Sequence, residues 1–457
     1  MRNRYVSSFI EALVVRRLAC ALSLLGGPLA GPIALANDQS VSNGVLLSME
    51  QAEEMPLIDI SVLRYMGGFR LPSAPVGDDP LATHSFSPGP IAFNPERGSL
   101  FTVSHDQHQG IGEFQIPRIV NSNDPNNFAM ATMLQNFRTF HEDGSSLTGI
   151  DNFFRITGMT LFDSKLVVNY FSWYDAPARE TDTSVVFQSP NNLASSNIVG
   201  PFQIDGAAHA SGWLTPIPSE WQTLLGGDHI AGHSHGSIVS RLSVGPPAHI
   251  MNVSDLTDAN KGRAVPSTAL LDFSLSEPLH DSSVYNLQSD SVEDILYNEN
   301  GKNNLWTIIS GASYGFIVPS TGTYMTLGYA GGFNSGLGYK ITQTDGNLCP
   351  GPCSYDPEDN YNYYWLWKIS DMLKVKNGIL QASDLRPYAH GQLDTRGNAA
   401  QLKGAAYDPV TKRLYVSLEQ GDTIPTFDKP PLILVYAVDA GISTKVVMPP
   451  LEILLDE

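Results

Sequence analysis

The segment at 92–103, Ala-Phe-Asn-Pro-Glu-Arg-Gly-Ser-Leu-Phe-Thr-Val, returns near the other end of the chain at 406–417 as Ala-Tyr-Asp-Pro-Val-Thr-Lys-Arg-Leu-Tyr-Val-Ser. Each copy joins a short apolar strand to a second alternating strand through an Asn/Asp-Pro turn, which makes a hairpin. A hairpin that recurs in one chain signals a repeated sheet architecture. The segment at 156–170 is a similar unit with a tighter turn, and 304–311 (Asn-Leu-Trp-Thr-Ile-Ile-Ser-Gly) reads as a further strand. Gly, Pro, Asn, Asp and Ser clusters punctuate the chain throughout, as short-stranded all-β repeats require. Helical signals are confined to 218–226, with a Ser cap and a Gly stop, and to 369–378. Two short helices are too few for an α/β sheet, whose crossovers need one helix per strand.

The Asn/Asp-Pro-x-x-x-x-Leu-Phe/Tyr hairpins at 92–103 and 406–417, with weaker matches at 156–170 and 304–311, resemble the blades of β-propellers, broadly the NHL and related groups. That resemblance implies an all-β fold: radial four-stranded sheets around a channel, with ligand sites at one mouth. Six or seven blades in one domain fit the length, with one or two short helices in loops. A pair of β-sandwiches is the competing architecture.

Residues 1–36 read as an export signal. Arg2, Arg4, Arg16 and Arg17 precede an apolar stretch, and Ala34-Leu35-Ala36 fits the small-x-small cleavage rule, which leaves 37–457 as the propeller domain. Arg16-Arg17 also resembles a twin-arginine signal. The expected location is periplasmic or extracellular. No later run approaches the roughly 20 apolar residues of a membrane helix, so no membrane span is expected. The signal's four Arg and one Glu give it a net +3, so against a whole-chain charge of −19 the remainder carries −22. Such acidity disfavours nucleic acid, whose phosphates need Lys and Arg.

Cys349 and Cys353, in Cys-Pro-Gly-Pro-Cys, read as a disulfide pinning one loop. A redox dithiol normally has a two-residue spacer, and a zinc site lacks its second cysteine pair here. Just after it, Asp356, Glu358, Asp359 and Asn360 crowd a turn that is either solvated or a calcium site, although the spacing is not that of an EF-hand.

Gly232-His233-Ser234-His235-Gly236 satisfies the Gly-x-Ser-x-Gly nucleophile pattern. The residues after it, 237–244, alternate like a strand, whereas that chemistry needs a helix there. His229, His233 and His235 lie close together, and His105 and His108 flank Asp106-Gln107. They are either solvated loop histidines or metal ligands, with His233 and His235 the candidate pair for zinc or manganese. Alternation puts Tyr361, Tyr363, Trp365 and Trp367 on one strand face, for packing between blades or for stacking on a sugar. The Gly-rich run 328–340 carries Tyr329, Phe333 and Tyr339 as further contact faces.

The leading expectation is therefore an exported propeller that binds an extracellular ligand, a carbohydrate or another small molecule, through His108, Tyr329, Phe333 and Trp365. The catalytic alternative is polysaccharide β-elimination. His105 or His235 would act as base, Tyr170 or Tyr339 as acid, and Arg241 would neutralise a uronate carboxylate. A metal-dependent hydrolase is the remaining alternative.

Overall fold

The computed structural model describes residues 47–141, 154–173, 175, 179–234, 242–258, 262–298 and 301–440. The proposed signal, His235 and Arg241 lie outside the described residues.

The recurrent hairpins become the two innermost strands of two separate sheets, one of four strands and one of five. In the first, Ile91–Asn94 pairs with Ser99–Val103, followed outward by Ile111–Gln115 and Thr132–Arg138. The turn forms because the Asn94 side chain accepts from the Glu96 amide at 3.1 Å, while Gly98 takes a φ of +59° that its missing side chain permits. Asp408 does the same at 406–417, accepting from the Val410 amide at 2.9 Å and from the Thr411 hydroxyl.

The second sheet runs Phe154–Phe162, Lys165–Ser172, Ser184–Phe187 and Ile198–Ile204, edged by the short parallel strand Ala264–Val265. The third runs Trp213–Pro216, His229–Gly232, Ala248–Met251 and Thr268–Leu271. The fourth runs Gly311–Ile317, Thr323–Gly331, Asn360–Lys368 and Ala389–Gln392. The fifth comprises Leu402–Asp408, Arg413–Leu418 and Leu432–Val438, and its fourth strand is Leu63–Arg70 from the other end of the chain, edged by the short parallel strand Ala129–Met130. Leu63 pairs with Val438 and Arg70 with Leu432, antiparallel, so the ring closes through main-chain bonds between distant segments. The five innermost strands pack on one another in cyclic order. The fold is a five-bladed β-propeller.

Six or seven blades were expected from the length; the finding is five, because much of the chain lies between blade strands. Residues 332–359 insert between two strands of blade 4 and carry a small sheet, Leu337–Tyr339 against Pro352–Ser354, pinned by the Cys349–Cys353 disulfide. Residues 272–310 link blades 3 and 4 and include a helix, Val292–Tyr297, capped by Ser291. The expected helices are Ser219–Leu225, whose N-cap is Pro218, and Ile369–Lys376. Three more short helices, Met49–Glu54, Ser254–Thr257 and Val292–Tyr297, are additional. The strand expected at 304–311 is instead a turn. Asn303 and Ser310 side chains capture the backbone of Leu305, Trp306 and Thr307, groups that a strand would offer to a ladder.

Because blades stack face to face, their central strands are covered on both sides. All nine residues of Thr323–Gly331 are buried, and Trp365 and Trp367 are wholly enclosed on the next strand. Near the channel the blades approach closely. A Cβ on Gly158 would lie 2.1 Å from the carbonyl oxygen of Gly212 on the neighbouring blade. Only glycine fits that contact.

Candidate functional site

In every blade the inner strand begins, and the second strand ends, at the same mouth of the channel. That direction of travel brings residues of all five blades to one cavity of about 300 Å³. Blade 1 contributes Pro88, Pro90 and Asp106, blade 2 Arg155, Thr157, Phe171 and Trp173, blade 3 Trp213, His233 and Ser234, blade 4 Ser313, and blade 5 Lys403 and Glu419. Two other clefts, of 330 and 360 Å³, lie at the opposite end, each spanning only two blades.

Charge in the cavity is arranged in pairs. Arg155 Nε lies 2.7 Å from Asp106 Oδ1 across the blade 1 to blade 2 junction. Gln109 holds that junction: its amide nitrogen donates to the Asp106 carbonyl at 2.6 Å, and its amide oxygen accepts from the Ile156 nitrogen at 2.7 Å. On the other wall, burial pushes the Glu419 carboxyl up, Lys403 pulls it partly back, and the negative charge of Asp106 pushes it up again. Lys403 Nζ sits 3.9 Å above the Tyr329 ring. Burial raises the Tyr329 hydroxyl and the Lys403 charge opposes this. Apolar contact comes from Phe171 and from Trp173, which is 44 % exposed. The cavity thus offers an indole face, two cations, two carboxylates and several hydroxyls at the lower end of the size range of small-ligand sites.

Of the residues singled out in the sequence, His233 lines this cavity, with its ring 4.6 Å from that of Phe171 and its Nδ1 3.2 Å from Ser211 Oγ. His105 is half-buried beside Asp106, against Phe86, and burial lowers its pKa. His108 is buried, its Nδ1 2.6 Å from Ser104 Oγ. Tyr329 underlies Lys403. The others are elsewhere. Tyr170 is buried among Phe140 and Phe154, and burial drives its hydroxyl far above the ordinary range. Tyr339 is 59 % exposed on the small sheet of the blade 4 insertion, with Lys340 over its ring. Phe333 is buried and stacked on Tyr361. Trp365 has no exposed surface and donates its indole N–H to the Leu305 carbonyl at 2.9 Å, so it presents no ligand face. His229, at the far end of its strand from His233, bonds to Asp228 at 2.9 Å.

Two motifs have structural occupations. Ser234 is buried, and its hydroxyl accepts from the Ala312 amide at 2.9 Å, which ties blade 3 to blade 4. Asp359 is buried and accepts from the amides of Phe333, Asn334 and Ser335 and from the hydroxyls of Ser335 and Tyr361. Its oxygens are spent on holding the Gly-rich turn.

The residues missed at the sequence level are Asp106, Arg155, Trp173, Lys403 and Glu419. Each immediately follows or precedes a recognised hairpin: Glu419 lies just past 406–417, Lys403 just before it, and Asp106 just past 92–103. That flanking position was the available signal.

No protein-family profile matches the chain, and no curated protein matches it in sequence. Among solved structures it is similar to a luciferin-regenerating enzyme, at 6 % identity over 83 % of this chain and 95 % of that one, with a TM-score of 0.30. A glycosyl hydrolase from Bacteroides ovatus aligns at 9 % identity over 83 % and 92 %, TM-score 0.35. The WD40 repeats of RRP9 align at 10 % identity over 76 % and 78 %, TM-score 0.28. The propeller architecture itself rests on the strand order and the ring of inner strands described above.

Proposed function

We propose that this chain is an exported propeller that binds a carbohydrate in the channel-mouth cavity. One observation carries the reading: all five blades direct side chains into a single pocket that combines the exposed indole of Trp173 with Arg155, Lys403, Asp106 and Glu419. A sugar ring presents an apolar C–H face, which stacks on an indole, and a rim of hydroxyls, which bond to charged and amide groups. The disulfide and the signal-like start support an oxidising compartment.

A second reading, hydrolysis of the bound sugar, is favoured by the two carboxylates. Burial keeps Glu419 protonated to higher pH, the state a general acid needs, while Asp106 is bonded to Arg155. Elimination draws less support from the described residues, since neither Tyr170 nor Tyr339 lines the cavity.

Purified protein titrated with a panel of neutral and uronate-containing oligosaccharides, followed by tryptophan fluorescence, tests the binding. Saturable binding that is weakened by substitution of Trp173 is the expected result. Absence of binding across the panel removes the carbohydrate reading. In the same samples, new reducing ends mark hydrolysis and absorbance from an unsaturated uronate marks elimination.

A further inference from the structure

Outside the cavity lining, on the rim of blade 3, three metal-ligating side chains converge from separate segments. His209 lies in the turn Ala207–Ala210 that precedes the inner strand, His249 is on the third strand, and Asp272 follows the outer strand. Their ligand atoms all lie within 4.8 Å of one another. His209 Nδ1 is 2.6 Å from Asp272 Oδ1, and His249 Nε2 is 3.9 Å from the same oxygen.

The second observation concerns His249. It is 3 % exposed, and its Nε2 has no hydrogen-bond partner. Its other nitrogen, Nδ1, lies 3.3 Å from the hydroxyl of Ser267, and that hydroxyl donates its proton to the Asp205 carbonyl at 2.5 Å. Ser267 can therefore only accept from His249, so in the neutral imidazole the proton sits on Nδ1 and Nε2 carries a bare lone pair. That lone pair faces a carboxylate oxygen at a distance too long for a hydrogen bond. Two acceptors facing each other across this partly buried gap make a place for a cation. The ring packs on Gly206, where a Cβ would sit only 2.6 Å from His249 Cε1, so glycine is what leaves room for it. Gly206 has a φ of +96° that glycine adopts freely.

We propose that His209, His249 and Asp272 bind one divalent transition-metal ion of the zinc class. Two imidazoles and one carboxylate are the donor set that zinc takes, whereas calcium asks for six or more oxygens. Ligand atoms around a tetrahedral zinc ion stand roughly 3.3–3.5 Å apart, at bond lengths of about 2.0–2.1 Å. The observed spacings of 2.6 and 3.9 Å bracket that value, and the third, between the two imidazoles, is within 4.8 Å. The ion displaces the proton shared by His209 and Asp272, and its fourth position opens to water on the side where these two residues are partly exposed. The site adjoins the mouth cavity, since the His209 carbonyl accepts from the His233 amide at 2.8 Å. The ion thereby braces the wall that carries His233.

The test uses tag-free full-length protein, stripped with a chelator, then dialysed against zinc and assayed for bound metal. One zinc per chain and a raised melting temperature are expected for the wild type, because an ion that binds only the folded state stabilises it. Asp272→Asn and His209→Ala should lose at least tenfold in zinc affinity, while His233→Ala keeps the ion. Cobalt-loaded wild-type protein, which needs no variant to fold, should show visible absorption bands that zinc abolishes. Substoichiometric zinc together with no cobalt bands overturns the proposal, as does an ion lost on substituting His233 and kept in Asp272→Asn. Binding of sugars is read separately, so failure here leaves the cavity proposal standing.

Discussion

Arg70 Nε lies 2.7 Å from Asp422 Oδ2 and joins residues 352 positions apart at the seam where the ring closes. Asp422 is fully buried, and its other oxygen accepts from the Ile424 amide at 3.1 Å. Removing one partner of a buried pair strands a charge, at a cost of about 3–5 kcal/mol. Arg70→Met should therefore lower the free energy of unfolding by that amount, read from urea denaturation. The double variant Arg70→Met/Asp422→Leu should recover a large part of the loss, because it buries no unpaired carboxylate. Additive effects in this cycle would show that the seam does not depend on the pair.

Gly158 and Gly212 set how closely blades 2 and 3 approach at the channel. Gly158→Ala drives a methyl group to 2.1 Å from a backbone oxygen, so strands must separate, at a cost of about 1–3 kcal/mol or more. Gly351→Ala, with nothing within 4 Å of the new methyl, is the control and should change stability little. Equal unfolding midpoints for the two variants would contradict the close-packed ring.

The legible part of the fold was the part with a local chemical signature. The Asn94 and Asp408 turns announce themselves because the side chain folds back on its own backbone, and those hairpins are the inner strands of blades 1 and 5. Blade 3 has no such signature, since its first two strands are joined through the helix Ser219–Leu225 rather than a tight turn. Its absence from the repeat pattern, together with the insertion at 332–359, is why length misjudged the number of blades. The mouth was harder to read. Lys403 and Glu419 flank one hairpin, but Asp106 and Arg155 meet only because blade 1 abuts blade 2. His209 and Asp272 stand 63 residues apart with no motif around either, so only the closed blade brings them together.

Glu419 gives the cavity a pH signature. Its folded pKa is raised, chiefly by burial, so the folded protein holds the proton more tightly than the unfolded chain does. The associated stability is complete below the ordinary glutamate range and is lost as pH rises through the raised value. Glu419→Gln, which mimics the protonated form, should raise the melting temperature by about 1–2 °C at pH 7 and give no gain at pH 4. A benefit that is the same at both values would separate it from titration of this group.

Trp173 and Trp365 are the same residue type with opposite fates, and this contrast tests whether the mouth binds ligand. Trp365 is sealed between blades, so Trp365→Ala should cost about 3–5 kcal/mol of stability through the cavity it leaves. Trp173 directly follows the second strand of blade 2 with 44 % of its surface open, and truncating it empties no core. Trp173→Ala should leave the free energy of unfolding within about 0.5 kcal/mol of wild type. It should also weaken oligosaccharide binding about tenfold, since a stacked aromatic anchor is worth on the order of 1–2 kcal/mol. Affinity is read by calorimetry, because the substitution removes a fluorophore. Undiminished affinity in a stable Trp173→Ala protein would move the ligand away from the indole and toward the polar wall of Arg155, Lys403 and Glu419.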